Sequence, residues 1–222
     1  MSGLDLILLI FYGASVGVVI YRAIASLFVD EAKIEWDEED LQKQLAEKKI
    51  AEKIKIKFKL EERYKYDELQ DLAISIENKS EEYIYIDWEQ SRFIDDGKRS
   101  QRIVRGIPGM PFDVLPPQVR SVILPGETNA ENLTVESVLK RSNETEPLKR
   151  EGSLVKLSKF KPDPKKKPPK PPPKDIKFTL RLALGWAEEM KSDRQTDLFV
   201  LNCKFTARRL SWKDARPRPK EK

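Results

Sequence analysis

The sequence predicts a mainly β protein: an antiparallel β-sandwich preceded by one N-terminal transmembrane helix and a short stalk helix. Three observations predict this class. An apolar run without a charge opens the chain, from Leu6 to Tyr21. The hydrophobic period then changes from near 3.6 to 2 around Ile54. After that come roughly seven to nine short alternating runs, punctuated by turn residues and with little helical pattern.

The opening run, LILLIFYGASVGVVIY, continues past Arg22 through Ala23, Ile24, Ala25, Leu27, Phe28 and Val29. A helix of roughly 20 apolar residues crosses a bilayer, and the run reaches that length if Arg22 extends its charge to the interface. A cleaved signal peptide fits less well, because MSGLD carries Asp5 and no Lys or Arg ahead of the apolar run. Lys and Arg are concentrated on the C-terminal side, at Arg22, Lys33, Lys43, Lys48, Lys49 and Lys53. That asymmetry places the bulk of the chain on the cytoplasmic side. Gly13 and Gly17 form a GxxxG pair, which lets a second helix backbone approach closely in lipid.

The expected organisation is an anchor over 1–29, a charged helical stalk over 30–53, a sandwich domain over 54–212 and a disordered basic tail over 213–222. In the stalk, Leu41 and Leu45 recur at helical spacing, Asp37 or Asp40 can cap the start, and Trp36 suits a membrane interface. Ile54, Ile56, Phe58 and Leu60 then alternate with lysines, as on a half-buried strand. Leu72, Ile74 and Ile76 repeat the pattern, and Ile84, Ile86 and Trp88 follow. Asp95-Asp96-Gly97-Lys98 is turn chemistry, with Gly97 expected at a positive φ. Shorter strands are expected at Ile103-Val104, Val119–Ile123, Leu133–Val135 and around Leu154–Leu157. Two long runs, Ile176–Leu184 and Leu198–Leu210, have the alternation of neighbouring antiparallel strands. Between them and the rest lies the insertion 161–174, KPDPKKKPPKPPPK, which proline confines to extended polyproline II.

Two stretches carry a resemblance. One runs from Ile74-Ser75-Ile76-Glu77-Asn78-Lys79-Ser80 to Ile84–Asp95, with its W-x-x-S-x-F-I-D ending; the other is Arg102–Gly106 with Val122–Glu127. Together, over about residues 74–127, they resemble uncharacterised bacterial envelope proteins built as small Ig-like β-sandwiches. The resemblance implies an Ig-like sandwich and carries over no activity. The chain departs from many such proteins in lacking a lipoprotein cysteine and in its Pro/Lys insertion.

Composition narrows the function classes. The 42 Lys and Arg nearly balance the 37 Asp and Glu, for a formal +5, and much of the excess lies in the insertion and tail. No nucleic-acid face is expected from a near-neutral folded part. There is no histidine, and Cys203 is the one cysteine, which removes intrachain disulfides, Cys/His zinc sites and Ser-His or Cys-His nucleophile pairs. No catalytic residue, metal or cofactor is therefore expected, and Cys203 reads as a small core residue. Asp87, Glu89, Asp95 and Asp96 form the densest carboxylate group, but hairpin chemistry is the simpler account of them. Trp88, Phe93 and Trp186 read as core rather than as a ligand groove. The sequons at Asn78, Asn132 and Asn143 are without meaning in a cytoplasmic domain.

The candidate functional residues are Gly13 and Gly17 for helix packing, and Lys165, Lys166, Lys167, Pro168, Lys170, Pro171 and Lys174 for a partner or lipid surface. The latter carry a K-x-x-P-x-x-P pattern suited to SH3-type grooves, and their charge equally suits anionic lipid. The expectation is a non-enzymatic, single-pass accessory or scaffold protein. It would meet a membrane protein complex, or a second copy of itself, through the transmembrane helix. The alternative is an envelope-facing module that binds a ligand or protein.

Overall fold

The computed structural model describes residues 3–27, 31–66, 69–106, 120–141, 143, 146–161, 171–187 and 198–210. Most of the Pro/Lys insertion, residues 188–197 and the basic tail lie outside them.

Helix α1 is Gly3–Leu27, with side chains described at Gly3, Asp5 and 7–21. All of those are exposed, among them Phe11 at 70% and Tyr12 at 74%. Over the described residues no helix is long and apolar enough to cross a membrane.

Beyond α1 the chain is mainly β. In order, its strands and one helix are β1 (Glu31–Trp36), α2 (Glu38–Glu47), β2 (Ile54–Lys59), β3 (Tyr64–Lys65), β4 (Leu72–Asn78), β5 (Tyr83–Ile94) and β6 (Ser100–Gly106). They continue with β7 (Ser121–Ile123), β8 (Thr128–Val135), β9 (Leu139–Lys140), β10 (Lys149–Arg150), β11 (Asp175–Ala187) and β12 (Leu198–Arg209). A curled antiparallel sheet takes the order β2-β4-β8-β6-β5-β11-β12-β1-β3, and β7 pairs with β5 off that path. Strand β6 is the corner. Ser100–Arg102 pair with β5, whereas Ile103–Gly106 pair with β8. The sheet thus folds into two layers, a sandwich-like arrangement with one core.

The alternation read from sequence fills that core. Ile54, Ile56, Ile74, Ile76, Leu133 and Val135 come from one layer, and Ile84, Trp88, Phe178, Leu182, Leu201 and Phe205 from the other, each at most 3% exposed. Each such side chain contributes about 1.5–3 kcal/mol by leaving water. The layers lock through aromatic contacts: Phe58 of β2 meets Phe205 of β12 edge-on at 4.9 Å, and Phe205 stacks on Phe178 at 5.0 Å. The two long C-terminal runs are neighbours as expected, paired from Asp175↔Arg208 to Gly185↔Leu198.

The stalk differs from expectation. Residues 31–36 are not helical; β1 lies between β12 and β3, with Ala32 opposite both Arg209 and Tyr64. Trp36 packs on Phe58 at 5.2 Å. Helix α2 forms, capped by Asp37, whose carboxylate accepts from the Asp40 N–H at 2.9 Å. Its Leu41 and Leu45 are fully buried in the core. The Gln44 amide exchanges two hydrogen bonds with the Asn202 backbone, at 2.9 and 2.8 Å, on the stretch of β12 beyond its pairing with β1. A side chain here occupies an exposed strand edge, which discourages pairing with another chain. Residues 31–47 are thereby built into the sheet and its core.

Two other expectations are corrected. Leu154, Val155 and Leu157 make no strand; they are buried beside a 3-10 turn, Leu157–Phe160, that plugs the core. In the 95–98 turn the positive φ falls on Lys98 (59°) and not on Gly97. A three-residue hairpin loop puts its left-handed residue there, while a Cβ on Gly97 would meet Asp95 Oδ1 at 3.2 Å.

Candidate interaction surfaces

A long bulge organises β5. Phe93 and Trp88 are five residues apart, so a regular strand would turn them to opposite faces, yet they are 2% and 0% exposed. The register accounts for this: Ala183 of β11 is opposite Asp87, and Arg181 is opposite Arg92. The extra residues are held by two short side chains. Ser91 Oγ–H donates to the Asp87 carbonyl at 2.7 Å and accepts the Ala183 N–H at 3.0 Å. The Asp87 carboxylate accepts the Gln90 N–H at 2.9 Å and Arg120 Nε at 3.0 Å. Trp88 Nε1–H donates to Ser121 Oγ at 2.9 Å, and Arg105 donates to the same oxygen at 2.8 Å while lying 5.4 Å from the Trp88 ring centre. The aromatic side chains are thus core, and Trp186 stacks on Phe199 at 6.1 Å.

The acidic group read from sequence is dispersed into separate ion pairs. Asp87 meets Arg120 at 3.0 Å, Glu89 meets Arg102 at 2.6 Å, Asp95 meets Arg99 at 2.7 Å, and Asp96 meets Lys159. Burial pushes the Asp95 carboxyl up, but the Arg99 N–H, guanidinium and charge outweigh it and hold the pKa below the ordinary carboxylate value. Among the described residues no three Cys, Asp or Glu side chains are grouped to hold a metal ion. Burial, with the charge of Asp40, pushes the Cys203 thiol to about 12, as suits a core residue.

The helix-packing candidates Gly13 and Gly17 lie on α1, where an added Cβ would meet nothing within 4 Å. Between them Ser15 Oγ–H donates back to the Phe11 carbonyl at 2.8 Å. Lys165, Lys166, Lys167, Pro168 and Lys170 lie outside the described residues, while Pro171 and Lys174 are described and exposed.

The topology brings three chain segments to one end of the sheet. Asp175, directly after the Pro/Lys insertion, is opposite Arg208; Arg209 is opposite Ala32; and Glu31 is opposite Lys65. An open cleft of about 560 Å³ at this end is lined by Lys33, Arg63, Arg208 and Arg209, with Glu35, Glu62 and Leu210. Glu35 accepts from Lys33 at 2.8 Å and pairs with Arg208 at 3.3 Å. The Lys33 hydrogen bond leads in holding its carboxyl below the ordinary range. Cations outnumber carboxylates in the cleft, and the insertion and the chain from α1 both join here. Sequence reading missed this convergence, because the pairings that create it link residues far apart in the chain.

No protein-family model, curated protein or solved structure matches the chain.

Proposed function

We propose that the protein is a non-enzymatic, single-pass membrane-anchored accessory or scaffold protein that presents an Ig-like sandwich to a membrane protein complex on the cytoplasmic side. The observation that carries this reading is α1 itself. Its 25 residues measure about 37 Å at 1.5 Å per residue, against a hydrocarbon core of about 30 Å, although the described residues alone make no span. The length counts Ala23, Ile24, Ala25 and Leu27 by sequence. Its described apolar side chains are exposed, which is costly in water and neutral in lipid.

The join to the sandwich supports the same reading. Three residues separate Leu27 from Glu31, a covalent reach of about 15 Å. The basic end of the sheet, with the entry of the Pro/Lys tract, is therefore held close to the end of α1. Near-surface cations gain about 1 kcal/mol each from anionic lipid, which favours a lipid role for Lys165–Lys174 over an SH3-type ligand. Gly13 and Gly17 remain the surface on which α1 meets a helix of the complex or of a second copy.

The Ig-like reading is supported by strand order. The layer β2-β4-β8-β6 opposite β5-β11-β12 matches the four-on-three order of constant-type Ig domains, with a buried tryptophan, Trp88, on the strand corresponding to C. Sandwiches of this kind are common in binding modules, which suits a scaffold role.

Topology is the test. A C-terminal tag on the full-length protein should stay with membranes after an alkaline wash and be digested only where protease reaches the cytoplasmic face. Release by the wash would overturn the anchor. Digestion from the outer face would overturn the orientation and favour the envelope-facing module. Translation into microsomes gives a second readout, since Asn143 is an exposed sequon asparagine that the proposed orientation leaves unglycosylated.

A further inference from the structure

Three arginines from three strands form a row across the outer face of the layer that holds β5, β11 and β12. Arg92 on β5 is opposite Arg102 on β6 and also opposite Arg181 on β11, and Arg181 is opposite Asn202 on β12. Directly opposed residues of antiparallel strands share a face. Their sequence neighbours Phe93, Ile103, Leu180 and Leu182 are at most 2% exposed, so the arginines point outward. Each is one strand spacing, about 4.8 Å, from the next.

Like charges placed directly opposite destabilise a sheet, so packing alone does not account for the row. Neutralisation is incomplete. Glu89 pairs with Arg102 at 2.6 Å, Arg92 donates to the Glu89 carbonyl and, at 2.9 Å, to the Ser91 carbonyl, and Arg181 has no ion-pair partner among the described residues. The β5 bulge creates the arrangement. Counting from Trp88, a regular strand would turn Arg92 inward, and the added residues turn it out against Arg181. Bulges characteristically re-aim side chains in this way.

We infer that the row of Arg92, Arg102 and Arg181 docks an acidic segment of a partner protein. Guanidinium groups bind carboxylates through two parallel hydrogen bonds, and Glu or Asp side chains on one helix face recur about 5–6 Å apart, close to the spacing of the row. Beside it stand Thr179 and Asn202, polar side chains able to bond a backbone. The exposed large apolar side chains among the described residues lie on α1 and at Val122, Leu124 and Leu198, not on this row. The row therefore lacks the aromatic platforms of single-strand nucleic-acid sites and the apolar wedge of an interfacial surface. The inference names the partner chemistry of the scaffold reading and rests on it for the existence of a partner; it does not need α1 to lie in a membrane.

The test uses the full-length protein in detergent micelles with fluorescent octaglutamate as the probe and octaglutamine as control. Wild type should bind octaglutamate, more weakly as salt rises, and Arg92→Gln/Arg181→Gln should bind at least tenfold more weakly while keeping a cooperative melting transition. Arg181→Glu, at a side chain without an ion-pair partner among the described residues, should lose binding equally and guards against misfolding of the double variant. A variant with Lys165, Lys166 and Lys167 all changed to Gln should bind like wild type. Absence of octaglutamate binding, or equal binding by the arginine variants, would overturn the inference. So would phosphatidylserine vesicles or single-stranded oligonucleotide binding more tightly through the same arginines. None of these outcomes bears on the alkaline-wash test of α1.

Discussion

The side-chain amide of Asn78 donates to the carbonyl of Ile123 at 3.0 Å, joining positions 45 residues apart in sequence. The same amide donates to the Glu82 carbonyl at 2.7 Å, while its oxygen accepts from the Ser80 N–H at 3.0 Å and the Ser80 hydroxyl at 2.7 Å. The Asn78 main chain completes the clasp: its N–H donates to Glu127 and its carbonyl accepts from Gly126, both at 2.9 Å. Gly126 adopts φ +76°, a conformation that favours glycine. The N-x-S turn and the P-G-E turn of the sequence are thus two halves of one junction between layers.

Asn78→Ala should therefore cost more than a surface change. It strands buried carbonyls and a buried hydroxyl, for about 2–4 kcal/mol. Urea unfolding should show a lower midpoint with an unchanged slope. A midpoint within error of wild type would mean that the main-chain bonds suffice for the clasp.

How much of this was legible follows from range. Ile54, Ile56 and Phe58, and likewise Leu72, Ile74 and Ile76, announce their strands because period-2 alternation is local. β1 was hidden because Ala32-Lys33-Ile34-Glu35-Trp36 is short and runs into the strong helix formers of α2; its pairing with β12, distant in sequence, decides the matter. The bulge left a trace, since Trp88 and Phe93 cannot both face inward on a regular strand. The row of arginines left none: residues 92, 102 and 181 meet only once strand order and register are set.

Ser91 offers a sharper test of the bulge. Its hydroxyl is the partner of the buried Ala183 N–H. Ser91→Ala should destabilise by about 1–3 kcal/mol, and hydrogen exchange at Ala183 should accelerate beyond the change in global stability. Unaltered protection at that amide would show that the hydroxyl is not what holds the register shift.

Cys203 is fully buried, and its thiol is pushed to about 12. Thiolate is the reactive form, so the folded protein should resist iodoacetamide at pH 8 and label at the rate of unfolding. Fast labelling without loss of the near-ultraviolet circular dichroism signal would contradict this placement.

Asp95 sets an acid limit. Its folded-state pKa lies below the ordinary carboxylate value, so the stabilisation is present above the unfolded pKa of about 3.9 and is lost as pH falls through the folded value. Asp95→Asn should be less stable than wild type at pH 7, with the gap closing below about pH 4. A gap independent of pH would assign the loss to hydrogen-bond geometry rather than to charge.

The arginine row makes a prediction in the opposite sense to most substitutions. Removing one of two directly opposed cations should relieve repulsion, so Arg181→Gln should stabilise the fold by about 0.2–1 kcal/mol at low salt. The gain should shrink towards zero in molar salt, where the screening length falls to about 3 Å. Arg102→Gln should behave differently, because it also releases Glu89 from its 2.6 Å pair; that exposed pair is worth at most about 1 kcal/mol, so the two effects should nearly cancel. Thermal melts of both variants at low and high salt separate these cases. A salt-independent loss in Arg181→Gln would mean that the aliphatic stem of Arg181 packs on the sheet and outweighs its charge.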